Sequence, residues 1–455
     1  MSNQLSNERL APLAPISFFC AALHAFSLLL HFSLLFSSLK GIFKKMQRLL
    51  ALGYSVRHIA CSGARAGYEM LSADAFGDAD TRECSSAFFF LNFSSQHLDL
   101  RHLEHLADSV DGVLVGSGLE NTAFGKLAEK VLGNLPEKMR EVANKAKLAE
   151  RLADLGIPHP KTFTQETLSQ ARFPLIAKPL FGGGGVANFL CRNERELLNA
   201  ARQGHLIFQE FIKGKIASVS VISTGKEAVS LCVNEQLAGL KSLFCEHSFT
   251  YCGNISPFKT KFADKMCEIA EFLVLELGLK GSNGVDFVVN DDGFFVLEVN
   301  PRFQGSLDTV EHCTGLNVVS THLKACEGEL PPKQRGAEEK YAARLILFAE
   351  RDCVVEADLR RFCGGNVEKM VEKEVGGGEE GREGEKEERS AGWIADIPQR
   401  GRVLRRGEPV VSGLGVARSR EEAIKKAKEV ILCVRRNIFK KRCEEWSQHT
   451  GIGRN

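Results

Sequence analysis

Short apolar runs alternate with a helical pattern over residues 46–135. The helical pattern covers Val56–Ala66, and strand-like runs precede and follow it. The strand-like runs are Arg48–Leu52, Glu69–Ala73 and Asp111–Val115. Strands that alternate with helices predict a parallel α/β sheet. Because ligands of such sheets lie at the carboxyl ends of the strands, the loop Gly116–Asn121 is a candidate substrate contact.

The pattern changes after residue 136. One long helix is predicted over Glu137–Leu155, and the segment Gly156–Pro160 ends it. Short strands then dominate Pro174–Gly305, interrupted by a helix near Asp264–Leu277. The last third of the chain holds two further strand regions and a terminal helix. These are predicted at Ala342–Phe348, Gly401–Val411 and Arg420–Lys440.

Two segments lie outside this pattern. Residues 11–39 contain no Asp, Glu, Lys or Arg and are long enough to span a bilayer. Three interpretations of residues 1–45 stay open: an extension with no structural role, an anchor that leaves the remainder cytoplasmic, or a soluble helix. Residues 372–390 consist almost wholly of Gly and charged residues, so they cannot bury a core and are predicted to be a disordered loop.

The composition is that of an ordinary globular enzyme. The 455 residues include 44% hydrophobic and 25% charged residues, and the formal net charge of +2 argues against a nucleic-acid binder. The 14 cysteines are scattered without a CxxC pair, so neither a zinc ribbon nor a thioredoxin-like site is indicated. Buried, reduced thiols in a cytoplasmic protein are predicted in preference to a disulfide framework.

The strongest chemical signal is a predicted β-hairpin at Gly284–Arg302. A three-residue turn is predicted at Asp291–Gly293, with the glycine in a left-handed conformation. Counting pairs back from that turn sets Asp286 opposite Glu298. Because side chains alternate along a strand, Asn300 shares a face with Glu298.

The polar residues of this hairpin suggest a metal site. Facing carboxylates repel each other, and a hard cation between them removes that cost. Carboxylate and amide oxygens together with nucleotide phosphates are the usual surroundings of Mg²⁺. Asp286, Glu298 and Asn300 are therefore candidate metal ligands, and Arg302 can hold a phosphate or a carboxylate with its planar fork. A solvated outer sheet face explains this set less well.

A glycine-rich segment supplies a second signal. A buried strand ends at Lys178, and Gly182–Gly185 connect it to the next strand. A glycine run lets backbone N–H groups approach phosphate oxygens closely, and Lys178 would add positive charge to the same phosphates. A flexible turn looks similar, but the lysine beside it and the carboxylate hairpin downstream favour phosphate binding.

A third segment, Leu206–Gly214, runs from an apolar strand into Glu210, Phe211 and Ile212. The edge of a strand can hold adenine through its backbone. From spacing alone, however, this segment is only a strand with a turn.

Taken in chain order, these motifs resemble the ATP-grasp superfamily over residues 46–329. The resemblance implies that ATP contacts lie at Lys145, Lys178, Gly182, Gly183, Gly184, Gly185, Glu210, Phe211 and Ile212. It implies Mg²⁺ (or Mn²⁺) ligands at Asp286, Glu298 and Asn300, followed by the family's arginine at Arg302.

The fold class implied is α/β with an α+β grasp domain. A Rossmann-like pre-ATP-grasp domain would cover residues 46–135, a two-lobed ATP-grasp domain residues 136–329, and a small C-terminal α+β domain residues 330–455.

The closest likeness is to the predicted ATP-dependent carboligases related to biotin carboxylase. It rests on the stretches Ser55–Asp80, Tyr251–Pro257 and Asp396–Pro398. Three positions depart from the expected pattern. Asn144 stands in place of the usual Asp, no acidic residue follows Gly214 to meet the ribose, and Ser306 occupies the place of the catalytic Glu of biotin carboxylases.

The resemblance implies a ligase that uses ATP and Mg²⁺ to activate a carboxylate as an acyl phosphate and joins it to an amine or similar nucleophile. Lys178 and Arg302 are the predicted catalytic residues. Two alternatives remain: an enzyme that uses bicarbonate to form a carboxylate or carbamate, and an ATP-binding sensor without turnover. The expected partners are small molecules, with membrane contact only through residues 11–39, and a homodimer is the commonest expectation for the assembly.

Overall fold

The computed structural model describes residues 47–93, 98–164, 166–185, 187–202, 204, 206–333, 340–362 and 392–439. The predicted apolar segment at residues 11–39 and the predicted loop at residues 372–390 lie outside these ranges. No helix among the described residues is long and apolar enough to cross a membrane.

The chain begins with a parallel sheet, as the alternating pattern predicts. Its strands are ordered β3-β2-β1-β4. The elements are β1 (Arg48–Leu52), α1 (Arg57–Arg65), β2 (Glu69–Asp74), α2 (Ala79–Glu83), β3 (Ala87–Phe90) and β4 (Gly112–Val115). Both faces are buried: Leu50 and Val113 pack under the 3₁₀ helices Arg101–Leu106 and Gly125–Lys130, whereas Leu49 packs on the opposite side.

The long helix predicted over Glu137–Leu155 is wrong, because the segment forms two helices. These are α3 (Pro136–Ala143) and α4 (Lys145–Asp154). Asn144 separates them in an extended conformation, and its side chain accepts hydrogen bonds from the N–H groups of Ala146 and Lys147. A polar cap of this kind starts a new helix, and the apolar periodicity on either side of Asn144 conceals it.

A small antiparallel sheet follows, with its strands ordered β5-β8-β6-β7. Its elements are β5 (Thr162–Phe163), β6 (Leu175–Pro179), β7 (Phe189–Cys191), α5 (Glu194–Ala201) and β8 (Leu206–Glu210), with a 3₁₀ turn at Leu168–Gln170. Helix α5 is absent from the sequence-based assignment. It packs on the sheet through Leu197 and Ala200.

The largest sheet has eight strands in the order β13-β12-β9-β10-β11-β14-β18-β16. The first elements of this region, in chain order, are β9 (Lys215–Ser223), β10 (Ala228–Ala238), a 3₁₀ turn (Lys241–Leu243), β11 (Tyr251–Ser256), α6 (Ala263–Glu276), β12 (Gly281–Val289), β13 (Phe294–Asn300), α7 (Leu307–Thr314) and α8 (Val318–Cys326). The chain continues with β14 (Tyr341–Phe348), β15 (Cys353–Val354), a 3₁₀ turn (Leu359–Phe362), β16 (Trp393–Ala395), β17 (Val403–Leu404), β18 (Pro409–Ala417) and α9 (Arg420–Ile438). Strands β15 and β17 pair with each other in a separate two-stranded sheet.

The largest sheet runs across the predicted domain boundary at residue 330. Strand β11 pairs with β14 in an antiparallel ladder, so the C-terminal strands extend the sheet of the preceding region. The single strand predicted at Gly401–Val411 is instead two strands, β17 and β18. Helices α7 and α8 pack against the first parallel sheet, through Leu307 and Val318 on one side and Leu49 on the other.

The prediction that the cysteines are reduced is wrong for one pair. Cys61 in α1 and Cys84 at the end of α2 form a disulfide. The two residues are 23 positions apart and lie on neighbouring helices, so no local spacing motif identifies the pair. Cys232, Cys252 and Cys191 are among the described cysteines that remain free and buried.

Candidate functional site

The carboxylate hairpin is built from β12 and β13. As predicted, Asp286 lies opposite Glu298. The predicted turn is nevertheless wrong, since Val289 pairs with Phe294 and the loop therefore has one more residue than predicted. A β-bulge at Leu297 restores the register before Glu298 is reached, and Gly293 has no left-handed φ.

The two carboxylates have unequal electrostatic surroundings. Burial, and then the charge of Glu298, raise the pKa of Asp286 well above its usual range. Burial acts in the same direction on Glu298, but the charges of Lys145, Lys178 and Arg302 outweigh it and lower the pKa of Glu298. Arg302 favours the ionised form of Asp286 but does not outweigh burial and the charge of Glu298, so Asp286 is the less compensated of the two carboxylates.

Asn300 connects the carboxylates to Arg302. Its Nδ2 donates to Asp286 Oδ2 at 3.1 Å, and its Oδ1 accepts from Arg302 Nη2 at 2.8 Å. The amide oxygen therefore faces the guanidinium in this arrangement, although its second lone pair can still meet another partner. Gln236, which the sequence did not suggest, donates from Nε2 to Asp286 Oδ1 at 3.0 Å.

Arg302 is held from the first sheet. Its Nε donates to Glu120 Oε1 at 2.7 Å, and both side chains are almost fully buried. The other oxygen of Glu120 accepts the N–H of Gly118 at 3.0 Å. The loop Gly116–Asn121 is therefore brought to the site by Glu120, which sequence reasoning included in a candidate loop without assigning it a role.

Two lysines place positive charge next to Glu298. Lys145, the first residue of α4, lies 3.6 Å from Glu298 and donates to the carbonyl oxygen of Gly182 at 2.6 Å. Lys178 on β6 is buried, and burial lowers its pKa to about 8, with the charge of Lys145 acting in the same direction and Glu298 opposing. The predicted lysines, the start of the glycine segment and the hairpin therefore converge.

The glycine segment lies beside Arg302 and strand β11. Gly182, Gly184 and Gly185 have left-handed φ angles of 100°, 74° and 71°. The N–H of Tyr251 donates to the Gly184 carbonyl at 3.0 Å. A Cβ atom at Gly185 would lie 1.9 Å from the carbonyl oxygen of Phe249, so only glycine fits there.

We expect Gly185→Ala to weaken MgATP binding by about tenfold, because a left-handed alanine costs about 1–2 kcal/mol and the contact with Phe249 displaces the loop. Gly225→Ala is the matched control, since Gly225 has a φ of 86° but open space around it. Equilibrium binding of MgATP to both variants tests the expectation. Equal affinities would show that the close approach at Gly185 does not shape the nucleotide site.

The predicted adenine segment follows β8. The N–H of Glu210 donates to the Lys161 carbonyl, and the N–H of Phe211 donates to the Pro174 carbonyl. Within the described residues no acceptor meets the N–H of Ile212. Of the three predicted contacts, Ile212 therefore offers the backbone donor that a base could use.

The donor set fits a hard cation bound together with phosphates. No three His, Cys, Asp or Glu side chains form a metal cluster among the described residues. The site offers two carboxylates and one amide, Asp286, Glu298 and Asn300, which is too few ligands for an all-protein cage. It suits an ion that keeps waters and takes phosphate oxygens as further ligands, as Mg²⁺ does.

Comparisons with known proteins agree with this geometry. Residues 142–306 match the family model of the ATP-grasp domain. An uncharacterized protein of Methanocaldococcus jannaschii is 25% identical over 80% of this chain and 87% of its own length. The large chain of carbamoyl phosphate synthase from Pyrococcus furiosus is 27% identical over 50% of this chain, which covers only 22% of that protein.

The fold is also found among solved structures. The biotin carboxylase domain dimer of Hydrogenobacter thermophilus 2-oxoglutarate carboxylase, solved with MgADP, ADP and bicarbonate, superposes with a TM-score of 0.63. The identity is 16%, over 84% of this chain and 89% of that one. The chain therefore contains a segment, residues 142–306, that matches the ATP-grasp domain, and its fold is that of the structures compared. These likenesses support the prediction of an ATP-dependent ligase.

Proposed function

We propose that this protein activates a carboxylate as an acyl phosphate, at the expense of ATP, and joins it to an amine or similar nucleophile. The observation that supports this most directly is the facing pair Asp286 and Glu298, flanked by Lys145, Lys178 and Arg302. Three cations around two close carboxylates are suited to hold phosphates together with a metal ion.

The reaction has two steps that balance without a further reagent. An oxygen of the substrate carboxylate attacks the γ-phosphorus of ATP, a new P–O bond forms, and the bond to the β-phosphate oxygen breaks to leave ADP. The nucleophile then attacks the acyl carbon, phosphate leaves, and a proton is lost from the amine. When bound by Asp286 and Glu298, Mg²⁺ would offset negative charge on the phosphates.

The side chains of the site position the reactants and offset charge. Lys178 and the N–H groups of Gly182–Gly185 offset the charge of the phosphates, while Lys145 ties the loop to Glu298. Arg302 is fixed by Glu120 and Asn300, so its remaining N–H groups are held in place before the substrate binds. This preorganisation avoids reordering of the guanidinium during the reaction.

The bicarbonate-using alternative is the weaker proposal for this chain. Ser306 occupies the place at which the sequence comparison expects the catalytic Glu of biotin carboxylases. Ser306 is buried and lies 3.4 Å from Ser220, in surroundings without a carboxylate partner for it among the described hydrogen bonds. A serine there cannot act as a base of comparable strength.

The proposal is tested by Mg²⁺-dependent release of ADP, AMP and phosphate from the full chain, with pooled carboxylates and hydroxylamine as a general nucleophile. ADP together with a hydroxamate supports acyl-phosphate ligation and identifies the acid. ADP released with bicarbonate alone would favour the carboxylase alternative. ATP binding without turnover would favour the sensor, and AMP with pyrophosphate would contradict the mechanism.

We expect Glu120→Gln to lower kcat by about tenfold, with little change in MgATP affinity, because a charge-assisted hydrogen bond to Arg302 becomes a neutral one. The measurement is the same ADP assay, with the acid and the nucleotide varied separately. Glu129→Gln serves as the control, since Glu129 is an exposed residue on a 3₁₀ helix of the same region. A rise in the KM for ATP alone would mean that Glu120 supports the fold of the nucleotide site and does not position Arg302.

A further inference from the structure

Three aromatic rings cluster at the carboxyl edge of the parallel sheet. The ring of Tyr54 meets the ring of Phe76 at 5.0 Å and the ring of Phe93 at 5.1 Å, both edge to face. These three residues are called the aromatic platform below. Tyr54 is 44% exposed, although it lies two residues beyond β1, whose last four residues are buried. Phe93 also packs against the core and the guanidinium of Arg402 lies 4.9 Å from the centroid of Phe76, but Tyr54 keeps exposed ring surface that is suited to another flat ring.

The order of the strands places the platform next to the loop that holds Arg302. Tyr54 follows β1 and Phe76 follows β2, and β1 lies between β2 and β4. The loop after β4 is therefore the direct neighbour of Tyr54, at a strand spacing of roughly 5 Å. The N–H of Tyr54 donates to the carbonyl oxygen of Ser117 in that loop at 2.7 Å.

Gly118 lies between the aromatic platform and Glu120, the partner of Arg302. Its φ is 90°, and a Cβ atom there would lie 3.0 Å from the ring of Phe93 and 3.2 Å from Tyr54. The N–H of the same residue donates to Glu120, which binds Arg302. One short loop therefore connects the aromatic platform to Glu120, which binds Arg302.

We propose that the aromatic platform is the subsite for a planar aromatic ring of the carboxylate substrate. The inference rests on the proposed ligase function and adds the class of acid, an aromatic carboxylic acid whose ring is a few bonds from its carboxylate. The carboxylate lies on the Arg302 side, near the phosphates, and the ring lies against Tyr54. Ring pairs of this type favour edge or offset contacts, and these select aromatic over aliphatic acids.

The test compares acids that differ in the ring. ADP release with hydroxylamine is measured for phenylacetate and 3-phenylpropionate against acetate and butyrate, with the wild type, Tyr54→Ala, Tyr54→Leu and Tyr54→Phe. Phe272→Ala is the matched control, because Phe272 is 46% exposed on α6, away from the site. We expect kcat/KM to favour the aromatic acids by about tenfold or more in the wild type.

The Tyr54→Ala and Tyr54→Leu variants are expected to lose this preference through a higher KM for aromatic acids, with the aliphatic acids unaffected. Tyr54→Phe and Phe272→Ala should keep the preference. Equal use of both kinds of acid in the wild type, or a preference that survives in both Tyr54 variants, would overturn the inference and leave the ligase proposal standing. A ring preference for the amine with none for the acid would overturn it as well.

Failure of the ligase proposal is recognised separately. If no acid supports ADP release, binding of phenylacetate to the full chain is followed by ligand-observed NMR in the presence of MgATP. Saturation transfer to the ring in the wild type that is lost in Tyr54→Leu would support the platform as an aromatic site. Absence of ring contacts in the wild type, or contacts that the variant retains, would overturn it.

Discussion

Glu298→Gln is expected to reduce Mg²⁺-dependent ADP release by at least about a hundredfold, which corresponds to ~2–3 kcal/mol or more of barrier. The substitution keeps the size of the side chain but removes the charge opposite Asp286 and beside Lys145. A neutral amide is a poorer ligand for a hard cation. The two lysines then lose the anion that holds them toward the phosphates.

The control for this variant is in the same hairpin. Asp292→Asn removes a carboxylate from the exposed turn, and we expect turnover within twofold of the wild type. Mg²⁺ should also raise the thermal midpoint of the wild type in the presence of ADP, and do so much less in Glu298→Gln. Near-normal turnover and an unchanged Mg²⁺ effect in Glu298→Gln would exclude Glu298 as a metal ligand.

In the hairpin formed by β12 and β13, the pairing of the carboxylates could be predicted from the sequence, but the turn and the bulge could not. Alternation along β12 and β13 and a turn between them suffice to place Asp286 opposite Glu298. The turn itself is longer than predicted, and the bulge at Leu297 compensates for the difference. A bulge of this kind depends on packing against neighbouring strands and leaves no residue-specific sign in an alternating run.

Contacts between segments that are far apart in the sequence could not be predicted from local patterns. Glu120 and Arg302 are 182 residues apart, so only the packing of the segment after β13 against the first sheet, where the N–H of Phe303 donates to the Val115 carbonyl, brings them together. The parallel sheet could be predicted because each of its strands is a local apolar run. The helix break at Asn144 could be suspected only from a capping residue type, since apolar positions recur on both sides of it.

A buried cluster of charged side chains also joins segments that are far apart in the sequence. Both terminal nitrogens of Arg57 donate to Asp308, at 2.7 and 2.5 Å, and its Nε donates to Asp396 at 3.0 Å. Arg344 donates to the other oxygen of Asp396 at 2.6 Å. The cluster joins α1, α7, β14 and the segment after β16, and all of these side chains are at most 14% exposed. Two of its members, Arg57 and Asp396, lie in the stretches Ser55–Asp80 and Asp396–Pro398, on which the resemblance to the carboligases rests.

The cations of this cluster set the pKa values of its acids. Burial alone would raise the pKa of Asp308 and of Asp396, but Arg57 outweighs burial for the first and Arg344 with Arg57 for the second. The pKa of each carboxyl is therefore held well below its usual range. A depressed pKa in the folded state contributes stability that is present above the unfolded value of about 3.9 and is lost as the pH falls below it.

Asp308→Asn is expected to lower the free energy of unfolding at pH 7 by about 3 kcal/mol or more, because it leaves Arg57 buried with one of its two main partners removed. Urea denaturation of the variant and the wild type measures the difference. Asp358→Asn is the matched control, since Asp358 pairs with the partly exposed Arg360, and a surface pair of this kind contributes about 0–1 kcal/mol. The difference between Asp308→Asn and the wild type should shrink as the pH falls below about 4, where Asp308 of the unfolded wild type takes up a proton. A difference that stays constant between pH 7 and pH 3 would mean that lost packing at this position, and not the charge of Asp308, accounts for the destabilisation.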